Sequence, residues 1–152
     1  MKRVLEPEVM DDPEQAVAYA RADFSSSNQM FVDGLLARRG PELLTVLDVG
    51  CGPADIPIRL AKAKPSIHIM AVDASDVMVR VAEETVQKAG LERRITITKG
   101  RIPGLQPKAG DFDAIVSKDL LHHLPDPMVF WDEVKALARS RTVVYVLSLI
   151  HI

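Results

Sequence analysis

The chain has 152 residues, of which 47% are hydrophobic and 26% are charged, and its net charge is −2. These values are typical of a single globular domain, and they give no electrostatic reason to expect binding to nucleic acid or to an anionic membrane. One cysteine excludes an internal disulfide and a cysteine-based zinc site. The longest apolar run is too short to span a bilayer, and no signal-peptide pattern follows Met1, so we expect a cytoplasmic protein.

Two helices are predicted ahead of the first strand. An Asp-Pro pair begins a helix over residues 14–22, because aspartate favours the N-cap and proline the first helical position. The polar residues 25–28 are expected to interrupt it, and a second helix with apolar residues at helical spacing covers residues 29–38. We expect residues 1–40 to form a helical cap beside a ligand cleft, where Tyr19 either covers the ligand or simply packs.

From residue 41 onward, strand-like and helix-like segments alternate. Apolar strands are predicted over residues 43–49, 67–72, 95–98, 112–117 and 142–150. Helices are predicted over residues 55–63, from Ser75 to a stop at Gly90, and after Asp126-Pro127. This alternation favours a parallel sheet with right-handed crossovers, and we expect the strand order 3-2-1-4-5 in a Rossmann-like three-layer α/β/α sandwich. Residues 41–152 are therefore predicted to form one α/β core.

A glycine turn follows the first strand and limits the type of ligand that can bind. Gly50 and Gly52 let a ligand lie against the backbone, since glycine has no Cβ. Asp55 stands where a dinucleotide fold has its third glycine, where a carboxylate would repel a phosphate, and it is also expected to N-cap the next helix. Asp48 adds negative charge, and Asp73, about 20 residues further on, stands where a carboxylate binds a ribose. S-adenosylmethionine, which has a ribose and cationic groups but no phosphate, meets these requirements.

Four segments resemble motifs of the class I S-adenosylmethionine-dependent methyltransferases. Residues 46–54 resemble the first motif, with Ala54 where many members have a third glycine, and residues 71–75 resemble the second. Residues 112–117 resemble the motif of the fourth strand, and residues 120–124 the segment that follows it. The resemblance implies S-adenosylmethionine as the cofactor, and it implies almost nothing about the methyl acceptor.

The resemblance and the strand ends together indicate a set of cofactor-binding residues. Asp48 is expected to engage the ammonium group of the cofactor, and Asp73 its ribose diol. Arg101 stands where many relatives have an acidic residue for the adenine amino group, so backbone amides near Arg101 and Ile102 are expected to bind the adenine instead. The spacing of Met78 also fits core packing. The full expected set is Tyr19, Asp48, Gly50, Gly52, Asp73, Ala74, Met78, Arg101, Ile102 and Ser117.

The sequence identifies no catalytic residue and no metal site. Methyl transfer depends mainly on holding the nucleophile, the methyl carbon and the sulfur in line, so a catalytic side chain is not required. The pair His122-His123 could supply a general base or metal ligands. Adjacent residues on a helix diverge by about 100°, however, and no matching ligand cluster accompanies the pair, so a structural role is favoured.

We therefore expect a methyltransferase that acts on a small-molecule acceptor, without nucleic-acid or membrane partners. Two alternatives are a non-catalytic module that binds or senses S-adenosylmethionine, and a nucleotide-dependent oxidoreductase, which Asp55 disfavours. The family fold usually continues beyond the fifth strand. We therefore expect the core to be incomplete at its C-terminus, with residues 146–152 as a candidate truncation artefact.

Overall fold

Five parallel strands form the centre of the structure, a computed structural model that describes residues 10–105 and 112–148. The strands are β1 (Thr45–Val49), β2 (His68–Asp73), β3 (Ile95–Lys99), β4 (Ala114–Lys118) and β5 (Val143–Leu147). Their order in the sheet is β3-β2-β1-β4-β5, and each neighbouring pair is parallel. This arrangement confirms the predicted strand order.

Helices cover both faces of the sheet, which confirms the predicted three-layer architecture. The helices are α1 (Pro13–Arg21), α2 (Ser25–Arg39), α3 (Asp55–Ala63), α4 (Asp76–Lys88) and α5 (Met128–Leu137). One buried apolar cluster joins the sheet to Leu35 of α2, Leu60 of α3 and Val86 of α4. A second cluster, on the opposite face, contains Phe130 and Val134 of α5. Among the residues that the structure describes, no helix is both long and apolar enough to cross a bilayer.

The helix α4 begins and ends where the sequence predicts. The Ser75 hydroxyl accepts a hydrogen bond from the backbone N–H of Met78 at 3.2 Å, which caps the first turn. Gly90 follows the last turn with a φ of +68°, a conformation that costs glycine little. Both ends of α4 are therefore set by local chemistry that can be read from the sequence.

The predicted interruption at residues 25–28 is wrong, because these residues form the first turn of α2. The chain breaks earlier, at Ala22, which is extended. The Asp23 carboxylate then accepts the backbone N–H of Ser25 at 3.1 Å, and the N–H of Asn28 donates to the carbonyl of Phe24 at 2.8 Å. Serine and asparagine disfavour a helix when they compete for its backbone, but they are well suited to the first turn.

The prediction that Asp55 caps α3 is also wrong. The N-cap is Ala54, which has a left-handed φ of +68°, and Asp55 is the first helical residue. The Asp55 carboxylate instead accepts hydrogen bonds from two side chains, Asn28 Nδ2 and Arg59 Nε, at 2.7 Å each. A carboxylate in a first turn still interacts favourably with the helix dipole.

The carboxyl ends of β1, β2 and β4 lie together at one edge of the sheet, and the order of winding reverses between β1 and β4. Ligands of open α/β sheets bind in the crevice at such a reversal. Residues 106–111, between β3 and β4, and the predicted end of the fifth strand at residues 149–150 lie outside the described residues.

Candidate functional site

The turn after β1 places three left-handed residues close together. Gly50 has a φ of +79°, Gly52 a φ of +53° and Ala54 a φ of +68°. The backbone N–H groups of Gly50 and Cys51 both donate to the carbonyl of Val72, at 2.8 and 3.0 Å, so the turn is tied to the end of β2. The result is an open stretch of backbone at the point where the winding of the sheet reverses.

A cleft of about 290 Å³ lies between this turn and the segment that contains α1 and α2, residues 13–39, which is called the cap below. Its floor contains Asp48, Gly50 and Gly52, and its opposite wall contains Tyr19 of α1 and Phe24, which lies between α1 and α2. The two aromatic rings lie 5.0 Å apart. Tyr19 also reaches the turn, since its Cε1 lies 3.8 Å from the point that a Cβ on Gly52 would occupy. The cap residue predicted from the sequence therefore does face the glycine turn.

A second, tighter pocket of about 30 Å³ shares Gly50 with this cleft. It is lined by Asp73 and Ala74 at the end of β2, and by Arg101 and Ile102 after β3. Leu105, Leu120 and Leu124 complete its apolar wall. The two adjoining spaces thus bring together all of the expected site residues except Met78 and Ser117.

Met78 and Ser117 lie beneath the site rather than in it. Met78 is 3% exposed, and it lines neither space. Ser117 is fully buried, and its hydroxyl donates to the carbonyl of Val49 at 2.8 Å. Ser117 therefore joins the end of β4 to the end of β1, and in this position it supports the crevice without lining it.

Asp48 is the most unusual charged group of the site. It is 3% exposed, and among the described residues its Oδ2 atom has no hydrogen-bond partner. Burial, and to a lesser degree the nearby charge of Asp73, raise the pKa of Asp48 to about 7. A buried carboxylate without a partner is costly, and a ligand in the cleft that carries a cationic or hydrogen-bonding group can supply that partner.

Asp73 ties the glycine turn to the second strand. One carboxylate oxygen accepts the N–H of Gly52 at 2.8 Å, and the other accepts the N–H of Ser75 at 2.9 Å. Burial raises the pKa of Asp73, and the backbone N–H groups of Ser75, Gly52 and Ala74 oppose that rise. A carboxylate has about four acceptor sites, so Asp73 can accept from a ligand while it holds the turn.

An ion pair forms the wall of the cleft at the end of β4. Lys118 Nζ and Asp119 Oδ2 lie 2.5 Å apart, and Asp119 has a φ of +62°. The Lys118 ammonium also lies 5.9 Å from the centre of the Phe24 ring. Asp119 was not among the expected site residues, since nothing in a sequence marks a non-glycine residue that adopts a left-handed conformation.

A polar network that the sequence did not predict attaches the cap to α3. Arg59 donates to Asp55 Oδ2 at 2.7 Å, to Gln29 Oε1 at 2.8 Å and to Ser25 Oγ at 3.0 Å. Asn28 donates to the same Asp55 oxygen. The spacing of Asp55 and Arg59, four residues apart on one helix, was the only available signal. The network connects the helix that follows the glycine turn to the first turn of α2.

We expect Arg59→Ala to loosen the cap, because it removes three hydrogen bonds, two of which, to Gln29 and Ser25, join α3 to α2. The free energy of unfolding should fall by about 1–2 kcal/mol, because partly exposed bonds contribute modestly. Limited proteolysis should cut the region between α1 and α2 faster than in the parent protein. Lys62→Ala, a change at an exposed position on the same helix, is the control. Equal cleavage rates for the two variants would show that the network does not hold the cap.

The two histidines do not line either space. Their rings lie 4.1 Å apart in the turn between β4 and α5, and Nδ1 of His122 lies 2.9 Å from the Ser148 hydroxyl. Across residues 10–105 and 112–148, no group of three or more histidine, cysteine, aspartate or glutamate side chains could hold a metal ion. The neighbouring leucines of this turn, rather than the histidines, face the tighter pocket.

Comparison with known families agrees with the family indicated by the motifs. A family model described as a methyltransferase domain matches residues 46–141. The trans-aconitate 2-methyltransferase of Mycobacterium tuberculosis is 34% identical over 126 residues, which cover 80% of this chain and 43% of that protein. The chain spans between 22% and 43% of the length of the first curated relatives that it matches.

Solved structures share the fold. A protein of Methanococcus maripaludis assigned to the S-adenosyl-L-methionine-dependent methyltransferases has a TM-score of 0.82 and 22% identity, over 97% of this chain and 67% of its own. A SAM-dependent methyltransferase of Aquifex aeolicus has a TM-score of 0.68 and 27% identity, over 84% of this chain and 68% of its own. The match with the first of these supports the fold, and the second adds a relative of higher identity.

Proposed function

The chain belongs to the methyltransferase-domain family, and on this premise we propose that it binds S-adenosylmethionine and transfers the methyl group to a small-molecule acceptor. The observation that carries the proposal is the Asp48 carboxylate, which is buried and has an unpartnered oxygen at the floor of the cleft. A ligand with an ammonium group provides the partner that this oxygen lacks.

The remaining groups around the two spaces suit the other parts of this cofactor. Gly50 and Gly52 line the cleft with backbone alone, so a ligand can approach the turn closely, and the Asp73 carboxylate can also accept from a ribose hydroxyl. The apolar side chains around this small pocket, beside Ala74 and Ile102, offer a surface against which a nucleobase can pack. We assign Arg101 to this pocket through its backbone, because its guanidinium cannot accept a hydrogen bond.

The sulfonium of S-adenosylmethionine supplies an already activated methyl group. The protein then has to orient the acceptor, exclude water and keep the reacting atoms in line. We place the acceptor against the wall formed by Phe24, Lys118 and Asp119, which faces the glycine turn across the cleft. The size of the cleft, about 290 Å³, and the existence of a related enzyme that acts on trans-aconitate support a small-molecule acceptor.

Titration calorimetry with S-adenosylmethionine, S-adenosylhomocysteine and NAD tests the proposal. We expect binding of the first two ligands and none of NAD, whereas a nucleotide-dependent oxidoreductase would bind NAD. Transfer of a labelled methyl group to a panel of small acids, amines and phenols then tests catalysis. Binding without transfer to any acceptor would favour a non-catalytic sensor over an enzyme.

Asp73→Asn should weaken S-adenosylhomocysteine binding about tenfold or more, since charge-assisted hydrogen bonds contribute about 1.5–3 kcal/mol. The amide retains one oxygen, so the variant should stay folded and lose less than it would with alanine. Asp76→Asn is the control, because Asp76 pairs with Lys99 in an exposed position. Calorimetry on both variants measures the difference, and equal affinities would remove Asp73 from the binding site.

A further inference from the structure

A short loop after β3 forms one wall of the tighter pocket. Gly100, Arg101, Ile102 and Leu105 from this loop line the pocket, and Leu120 and Leu124 lie on the opposite side. The pocket has a volume of only about 30 Å³, so a small displacement of the loop changes its shape substantially. Whatever holds the loop in place therefore controls how well a flat ring packs against this wall.

Glu133 holds this loop by its backbone. Oε1 accepts the N–H of Gly104 at 2.6 Å, and Oε2 accepts the N–H of Leu105 at 3.2 Å. Both bonds are charge-assisted, and together they fix the carboxylate against two consecutive amides. Glu133 belongs to neither space and does not line the pocket, so it acts on the pocket only through the loop.

The helix that carries Glu133 is firmly anchored. Phe130 and Val134, on either side of Glu133 in the sequence, are buried in the apolar cluster beneath α5. Leu124, from the opposite wall of the pocket, is buried in the same cluster. Ile102 and Leu105 of the loop pack in this cluster too, so both walls of the pocket are held against α5 by apolar contacts. Glu133 adds two hydrogen bonds that fix the backbone of the loop at residues 104 and 105.

We propose that Glu133 is a positioning residue that sets the loop over residues 100–105 so that the tighter pocket selects the adenine of the cofactor. The proposal rests on the proposed function, because it takes S-adenosylmethionine as the ligand. Recognition by backbone amides requires a loop of fixed position, since an amide that is displaced by a fraction of an ångström no longer aligns with a ring nitrogen. The two bonds from Glu133 provide that fixed position.

The test compares two ligands that differ only in the base, S-adenosylhomocysteine and S-inosylhomocysteine, by calorimetry on the full chain. Glu133→Ala should weaken S-adenosylhomocysteine binding about tenfold and should reduce the preference for adenine over hypoxanthine. Glu133→Gln keeps one acceptor oxygen and should give an intermediate result. Asp132→Asn is the matched control, because it removes the same charge from the neighbouring residue, which is exposed and pairs with Lys135.

The outcomes separate the two proposals. If the parent protein binds neither ligand, the proposed function fails. If the parent binds and discriminates, but Glu133→Ala matches Asp132→Asn in affinity and in preference, the positioning role is overturned. Weaker binding of both ligands with the preference unchanged would also overturn it, because a merely structural role would have that effect. Should the alanine variant not fold, the preference measured for Glu133→Gln decides between these outcomes.

Discussion

Gly50→Ala is expected to lower the affinity for S-adenosylhomocysteine by at least a hundredfold. A Cβ at this position would lie 3.2 Å from three side-chain atoms of Leu120, and the backbone φ of +79° is strained for any residue with a Cβ. Gly50 lines both the cleft and the tighter pocket, so a displaced Leu120 or a shifted turn alters both spaces. The expected loss therefore exceeds that of any single hydrogen bond to the ligand.

Gly90→Ala provides the matched control for this prediction. Gly90 has a similar φ of +68°, but a Cβ there would have nothing within 4 Å. Both variants carry a backbone cost of about 1–2 kcal/mol, so both should lose a similar amount of stability from this source. Urea unfolding measures the loss of stability in each variant, and calorimetry on the folded variants measures their affinity for S-adenosylhomocysteine. Retention of normal affinity by Gly50→Ala would show that the turn does not approach the ligand.

The sequence predicted the fold well because the governing interactions are local or periodic. Apolar runs of strand length alternate with helices, and Ser75 and Gly90 mark the two ends of α4 by their own chemistry. A strand, a glycine turn and an acidic residue at the end of the next strand follow one another along the chain, so their meeting at one edge follows from parallel topology alone. For the same reason Asp48, Gly50 and Asp73 could be assigned to the crevice before the structure was known.

Side-chain contacts between distant segments could not be predicted in the same way. Residues 25–28 look like a break because they are polar, yet Ser25 and Asn28 face partners on α3 that lie about 30 residues away. Glu133 and the loop that it holds are separated by a similar distance in sequence. Nothing in the sequence pattern of α5 distinguishes Glu133 from an ordinary solvated glutamate, since its role depends on where the loop passes.

For Ser117 and Met78, the sequence did not predict the direction in which the side chain points. Both stand within a few positions of strand ends that do line the crevice, and both were expected to contact the cofactor. Successive residues of a strand point to opposite faces, however, and helical residues turn by about 100°, so a shift of one position moves a side chain from the cleft into the core. The backbone position was predictable, whereas the direction of the side chain depended on register.

The raised pKa of Asp48 predicts that stability and ligand affinity depend on pH in opposite directions. In the folded protein this pKa is about 7, against 3.8 for an ordinary aspartate, so the folded state holds the proton more tightly than the unfolded state between these values. The contribution of Asp48 to stability is therefore present below about pH 4 and is lost as the pH rises to about 7. Between these pH values the free energy of unfolding should fall by up to about 1.4 kcal/mol per pH unit. Asp73, whose pKa is also raised, adds to this fall.

Ligand binding should follow the opposite trend, because the ammonium group of the cofactor requires the ionised carboxylate. Affinity for S-adenosylhomocysteine should rise by up to tenfold per unit between about pH 5 and pH 7, and then level off. Asp48→Asn should remove most of both dependences: the variant should be more stable than the parent at pH 8 and should bind weakly at every pH. Urea unfolding and calorimetry from pH 5 to pH 8 measure the two trends on the same samples. A parent protein whose affinity is independent of pH, or an asparagine variant that binds as well as the parent at pH 7.5, would show that the ligand does not pair with Asp48.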